Sequence, residues 1–162
     1  MQVIVSDTTA LIILAKSNRL NLLTNIIDSV YVPKAVMREI QFKNDMVKVL
    51  IENSDFIRVR ELSNQEILAD IQSTNLDIGE TEAIALALEM DLRLIIDERL
   101  GRKIAKQKGV KIIGLLGILE ANFRLGFISH RELLYVLEDF KRVDYRLSAV
   151  LERAFLEGLD DG

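Results

Sequence analysis

Short apolar runs that alternate with helix-length amphipathic segments restrict this chain to a small set of folds. Residues 2–6 (QVIVS) are β-branched and almost continuously apolar, and they end at Asp7. Such a run suits a strand covered on both faces, and its place at the start of the chain suits a central one. Val30–Val32 reads as a very short strand, Leu92–Ile96 as another that ends at Asp97, and Val110–Ile113 as a further one. Phe56–Arg60 alternates apolar and basic residues, the pattern of an edge or half-exposed strand. Between these runs the spacing predicts helices. The first is Ala10–Lys16, capped by Thr8 or Thr9, followed by the amphipathic stretch Leu20–Ile27 and a helix opened by Pro33. Asp45–Glu52, Asn64–Gln72, Thr81–Met90, Arg99–Lys108 and Leu115–Leu125 follow, the last two stopped by Gly109 and Gly126. Capping boxes stand at Asp77–Glu80 and Ser129–Glu132, and the second begins a helix that runs to about Lys141. Strands alternating with helices imply an α/β domain whose short parallel sheet, of four to five strands, has helices on both faces.

Composition removes several chemistries. The 162 residues include no cysteine, which excludes disulfides, thiolate zinc sites and cysteine nucleophiles. The single histidine, His130, excludes a multi-histidine metal site and follows Ser129 at a helix start, where a capping or surface role suits it. Aromatic residues make up only 6% and tryptophan is absent, so stacking platforms for bases are not expected. A net charge of −4 is not the footprint of a double-stranded DNA binder, which is usually basic. No apolar run is long enough for a membrane span, so a cytoplasmic domain is expected, with no membrane partner.

Ligands of open α/β sheets bind beyond the carboxyl ends of the strands. Asp7 and Asp97 both stand at that edge, although each could simply cap the next helix. Glu80 falls on the same helical stripe as Ile84, Ala87 and Leu88, so its carboxylate points toward the sheet edge as well as toward the cap. Glu39 lies at the margin of the Val36–Ile40 stripe, where pairing with Lys43 is the alternative. Converging carboxylates repel unless protonated or bridged by a cation. An all-oxygen set selects a hard ion such as Mg²⁺ or Mn²⁺, which suits phosphoryl chemistry.

The ordered segments 3–16 (VIVSDTTALIILAK), 32–40 (VPKAVMREI), 76–114 (LDIGETEAIALALEMDLRLIIDERLGRKIAKQKGVKIIG) and 115–128 (LLGILEANFRLGFI) resemble the PIN-domain family, including VapC-type toxin ribonucleases. The likeness spans residues 1–128 as a nuclease core and leaves 129–162 as a C-terminal helical extension packed on the same domain. It implies that Asp7, Glu80 and Asp97 bind metal, with Glu39 as a further catalytic acid and Thr8 as a supporting hydroxyl. It also implies Mg²⁺- or Mn²⁺-dependent cleavage of single-stranded or structured RNA, a homodimer, and a small antitoxin partner. The chain departs from the family where an acid often follows the last aspartate by two or three residues. Positions 99 and 100 are Arg and Leu, with Glu98 directly after Asp97. A PIN-like module that binds RNA or protein without cutting is the alternative. Other phosphotransfer folds fit worse. Asp7 is followed by Thr8-Thr9 rather than completing an Asp-x-Asp, no acidic pair ends the first strand, and no Walker A lysine motif occurs.

Arg99, Arg102, Lys103 and Lys106 recur on one helical face beside Asp97. Seven cations against two acids give Arg93–Lys111 a net of +5 in an acidic chain. These residues could hold RNA phosphates, or form an ordinary solvated face; Arg102 could instead pair with a site acid. The last amphipathic stretch, Leu147–Leu159, is expected to pack on the core through Leu147, Val150, Leu151, Ala154, Phe155 and Leu159, or else to form a partner interface.

Overall fold

A computed structural model describes residues 2–43 and 45–160; the side chains of Lys43 and Asp45 lie outside the described set. The elements run β1 (Val3–Ser6), α1 (Thr8–Lys16), α2 (Asn21–Thr24), β2 (Ser29–Val32), α3 (Lys34–Lys43), α4 (Asp45–Glu52), β3 (Ile57–Val59) and α5 (Gln65–Gln72). They continue as α6 (Ile78–Met90), β4 (Leu94–Ile95), α7 (Arg99–Gln107), β5 (Ile112–Ile113), α8 (Leu115–Arg124), α9 (His130–Arg142) and α10 (Ala149–Asp160). The five strands form one parallel sheet in the order β3-β2-β1-β4-β5. The β-branched run at the start of the chain is therefore its central strand, and the alternating basic run lies on an edge, as the patterns predict.

Parallel strands covered on both faces must be apolar throughout. Val5, Val30, Val32, Leu94 and Ile95 are fully buried. Helix α6 is buried almost all round, from Ala83 to Ala87, which explains why it is alanine-rich: small side chains let it lie close to its neighbours. Leu133, Val136, Leu137 and Phe140 of α9 belong to the same core cluster as β1. A buried amide, Asn122, ties α8 to the α2 region. Its Nδ2 donates to the carbonyls of Leu22 and Ile118 at 2.9 Å each, and its oxygen accepts from Asn25 at 2.8 Å. Among the described residues, no helix is long and apolar enough to cross a membrane.

Three local expectations change. Asp7, not Thr8 or Thr9, caps α1, since its carboxylate accepts from the Ala10 N–H at 3.2 Å and the helix starts one residue after it. Leu20–Ile27 yields only the single turn of α2, although Leu22 and Leu23 are buried as its pattern requires. The apolar stripe of the last helix does not pack as a whole. Leu159 is buried and Leu147 and Phe155 are half-buried, whereas Ala154 is exposed and Val150 and Leu151 are 79% and 59% exposed.

Candidate active site

Parallel pairing places the ends of β1 and β4 side by side. The Asp7 N–H donates to the Ile95 carbonyl at 3.1 Å, so the residue that follows β1 is held against β4. Asp97 follows β4 by two residues, and its neighbour Ile96 donates to Ile113 beside β5 at 3.0 Å. Both aspartates thus stand at the carboxyl edge of the sheet. Asp7 is almost completely buried (2% exposed). Asp97 accepts from the Leu115 N–H with both oxygens, at 3.0 and 3.3 Å, at the start of α8.

Helices supply the other two acids. Asp77 caps α6, accepting from the Glu80 N–H at 2.8 Å, but among the described residues Glu80 does not complete the reciprocal half of the box. Its Oε2 is buried without a partner, as is the Thr8 hydroxyl. Glu39, on α3, is half-buried and lies against Gly79; its expected partner Lys43 has its side chain outside the described residues.

Glycines make room for these acids. A Cβ on Gly79 would overlap Glu39 Oε1 and stand 3.4 Å from the Thr8 hydroxyl. On Gly101 it would stand 2.8 Å from Glu80 Oε2, and on Gly114 2.7 Å from Asp97 Oδ1. Each of the three acids therefore occupies space that a side chain at the facing position would claim.

The electrostatics follow from this crowding. Asp7 is pushed up to about 8, first by burial and then by the charges of Asp97, Asp77 and Glu39, against the lowering effect of the Ala10 N–H. Glu80 is also pushed up to about 8, by burial, by the adjoining Asp77 carboxyl, and by Glu98 and Asp7. Burial raises Asp97, while the Leu115 N–H, the Arg102 guanidinium and the Tyr145 hydroxyl pull it back. Without a cation these carboxyls hold protons that exposed ones would have released.

The donors suit a hard divalent cation: they are all oxygen, two of them are buried without partners, and three acids sit in glycine cradles. Yet among the described residues no three acidic side chains converge closely enough to hold an ion. The pattern is that of mutually repelling carboxylates held in one region.

The structure brings Asp7, Thr8, Glu39 and Glu80 together, with Asp97 beside them. Three further residues enter the site. Asp77, read from sequence only as a cap, is a charge neighbour of both Asp7 and Glu80. Glu98 adds to the field on Glu80. Tyr145, between α9 and α10, places its hydroxyl 3.4 Å from Asp97 Oδ1. The capping box was a signal for Asp77; nothing in the sequence singles out Tyr145. The basic face also converges, since Arg99, Arg102, Lys103 and Lys106 line one cavity with Asp97. Arg102 is half-buried and makes no ion pair with a site acid among the described residues; it donates instead from Nη1 to the Ile96 carbonyl at 2.8 Å, where its charge still acts on Asp97.

Residues 3–161 match the family model DUF3368, described as a PIN domain. Among solved structures, the chain is similar to a PilT N-terminus domain protein, SSO1118, from the hyperthermophilic archaeon Sulfolobus solfataricus P2. The TM-score is 0.53 and the identity 21%, covering 76% of this chain and 94% of that one. At this identity the likeness is one of fold. No curated protein matches the chain.

Proposed function

The chain belongs to the PIN-domain family, whose members are typically metal-dependent nucleases, and on that premise we propose that it is an endoribonuclease that uses Mg²⁺ or Mn²⁺. The observation that carries this reading is the placement of Asp7, Glu39, Glu80 and Asp97 in one crowded region at the carboxyl edge of the sheet, two of them pushed up to about 8. Asp7, Glu80 and Asp97 would hold the ion, with Glu39 as the additional acid and Thr8 as a supporting hydroxyl. A divalent cation bound there supplies Lewis-acid polarisation of a phosphate and a water of lowered pKa.

The chain's own residues do the rest. Burial of Asp7 keeps bulk water away from its carboxylate, which strengthens its attraction for a cation. The Leu115 N–H fixes the plane of Asp97, and Arg102 keeps Asp97 more ionised than burial alone would. Arg99, Lys103 and Lys106 form no ion pair among the described residues, so their charge is available to RNA phosphates. The toxin reading, with a homodimer and a small antitoxin, follows the resemblance alone; the neighbouring reading frame tests it.

The test is cleavage of a mixed-sequence single-stranded RNA with Mn²⁺, with Mg²⁺ and with EDTA. Metal-dependent cleavage is expected, reduced by at least about a hundredfold in Asp7→Asn and Asp97→Asn. A second reading, binding without cutting, is favoured by Arg99 in place of a further acid and by the lack of three convergent carboxylates among the described residues. Retention of RNA with no cleavage under either metal would select it.

A further inference from the structure

A cavity of about 820 Å³ opens beside Asp97. One wall is α7, with Arg99, Lys103 and Lys106. The other comes from the C-terminal part of the chain: the turn between α9 and α10 and the start of α10, with Tyr145, Arg146, Leu147 and Leu151. We propose that this C-terminal turn is the second wall of a groove for single-stranded nucleic acid, with Arg146 binding a backbone phosphate opposite α7. The proposal deepens the nuclease reading and takes from it only the idea that the strand ends at Asp97.

Four observations support it. First, the groove is strongly cationic. With Arg102 it gathers five cations around a single acid, Asp97, and Arg146 is exposed with no ion pair among the described residues. A polyanion fits that field. Second, the turn is anchored at the site. Tyr145 reaches Asp97 Oδ1 at 3.4 Å and packs edge-on against buried Phe140 at 5.8 Å, so the residue after it is held at the groove. Third, the walls differ. The α7 wall is charged, whereas Leu147 and Leu151 make the α10 wall apolar, and Leu151 is 59% exposed. Unpaired bases have apolar faces that would cover it, which gives the exposed half of the α10 stripe a use. Fourth, the volume lies in the ~300–1,000 Å³ range of clefts that enclose ligands. It therefore takes a short run of one strand rather than the side of a duplex.

The test is fluorescence anisotropy in EDTA, so that binding is read without cleavage. The probes are a labelled single-stranded RNA 12-mer, the DNA 12-mer of the same sequence, and the RNA duplex. Arg146→Ala should weaken single-strand binding about fivefold and lower the slope of log K against log salt by about 0.7, the loss of one phosphate contact. Leu151→Glu should weaken it further. Arg58→Ala, exposed on edge strand β3 at the far side of the sheet, should leave it unchanged. Melting temperatures of the variants verify folding. A single strand held better than the duplex, and lost with Arg146, supports the groove; the RNA and DNA arms show whether the sugar is read. Full-strength binding by Arg146→Ala, preferred binding of the duplex, or no single-strand binding by the wild type overturns it. The two readings fail separately. Binding lost with Arg146 in a protein that never cleaves removes the nuclease and keeps the groove. Unchanged binding by Arg146→Ala in a protein that cleaves does the reverse.

Discussion

Asp7 shows how one side chain serves the fold and the site at once. Its carboxylate caps α1, yet burial and three neighbouring acids hold it protonated to about pH 8. An acid raised in the folded state binds a proton there that the unfolded chain has already released above its ordinary value of 3.8. Stability of the metal-free protein therefore falls as pH rises from about 4 to about 8, and levels off above. Asp7→Asn keeps a capping oxygen but cannot ionise. In EDTA at pH 8 we expect it to be more stable than wild type by at least about 2 kcal/mol, roughly 5 °C in Tm, with the gap closing toward pH 4. Thermal melts across that range check it. Gly79 gives the opposite dissociation. Gly79→Ala adds helix propensity in α6 but displaces only the flexible end of Glu39. Stability should change by less than about 1 kcal/mol while RNA cleavage drops about tenfold or more, read from denaturation curves and initial rates on the same preparations. Asp7, Glu80 and Asp97 were legible in the sequence because strand ends and capping boxes have local signatures. The glycine cradles were not, because Gly79 and Glu39 are forty residues apart and only packing brings them together.

Helix termini and strand ends carry the site, and their chemistry separates cap from charge. In α6, Asp77 accepts the Glu80 N–H and also crowds the Glu80 carboxyl. Asp77→Asn preserves the cap and removes the charge; Asp77→Ala removes both. We expect Asp77→Ala to cost about 1 kcal/mol by urea denaturation and Asp77→Asn close to nothing. The central place of β1 and the edge place of β3 were legible because a buried β-branched run and an alternating basic run have different periods; the order of the other strands was not. Helix α10 was not. Periodicity shows that Val150, Leu151 and Leu159 can share an apolar stripe, but whether anything covers it depends on where the α9–α10 turn sends the helix. Leu159 reaches the core and Leu151 lines the groove instead.

The molecule is built so that its last third completes what its first strand begins. Phe140 on α9 is fully buried in the core that surrounds β1, and Arg19 beside α2 pairs with Asp139 at 2.9 Å. We expect Phe140→Ala to cost about 3–5 kcal/mol by chemical denaturation. Residues 1–128 alone should lack a cooperative melt by circular dichroism, where the whole chain should show one. Tyr145 extends the same dependence to the site, a long-range tie with no local sequence signature. The central proposal is that a divalent cation draws the acids at the carboxyl edge of the sheet into one site. Titration of Mn²⁺ followed by electron paramagnetic resonance, above pH 8 where Asp7 and Glu80 ionise, tests it most directly. Saturable binding by the wild type, weakened at least about tenfold in Asp7→Asn and in Asp97→Asn, is the expected result. No bound Mn²⁺ in the wild type, or equal binding in all three proteins, would contradict it.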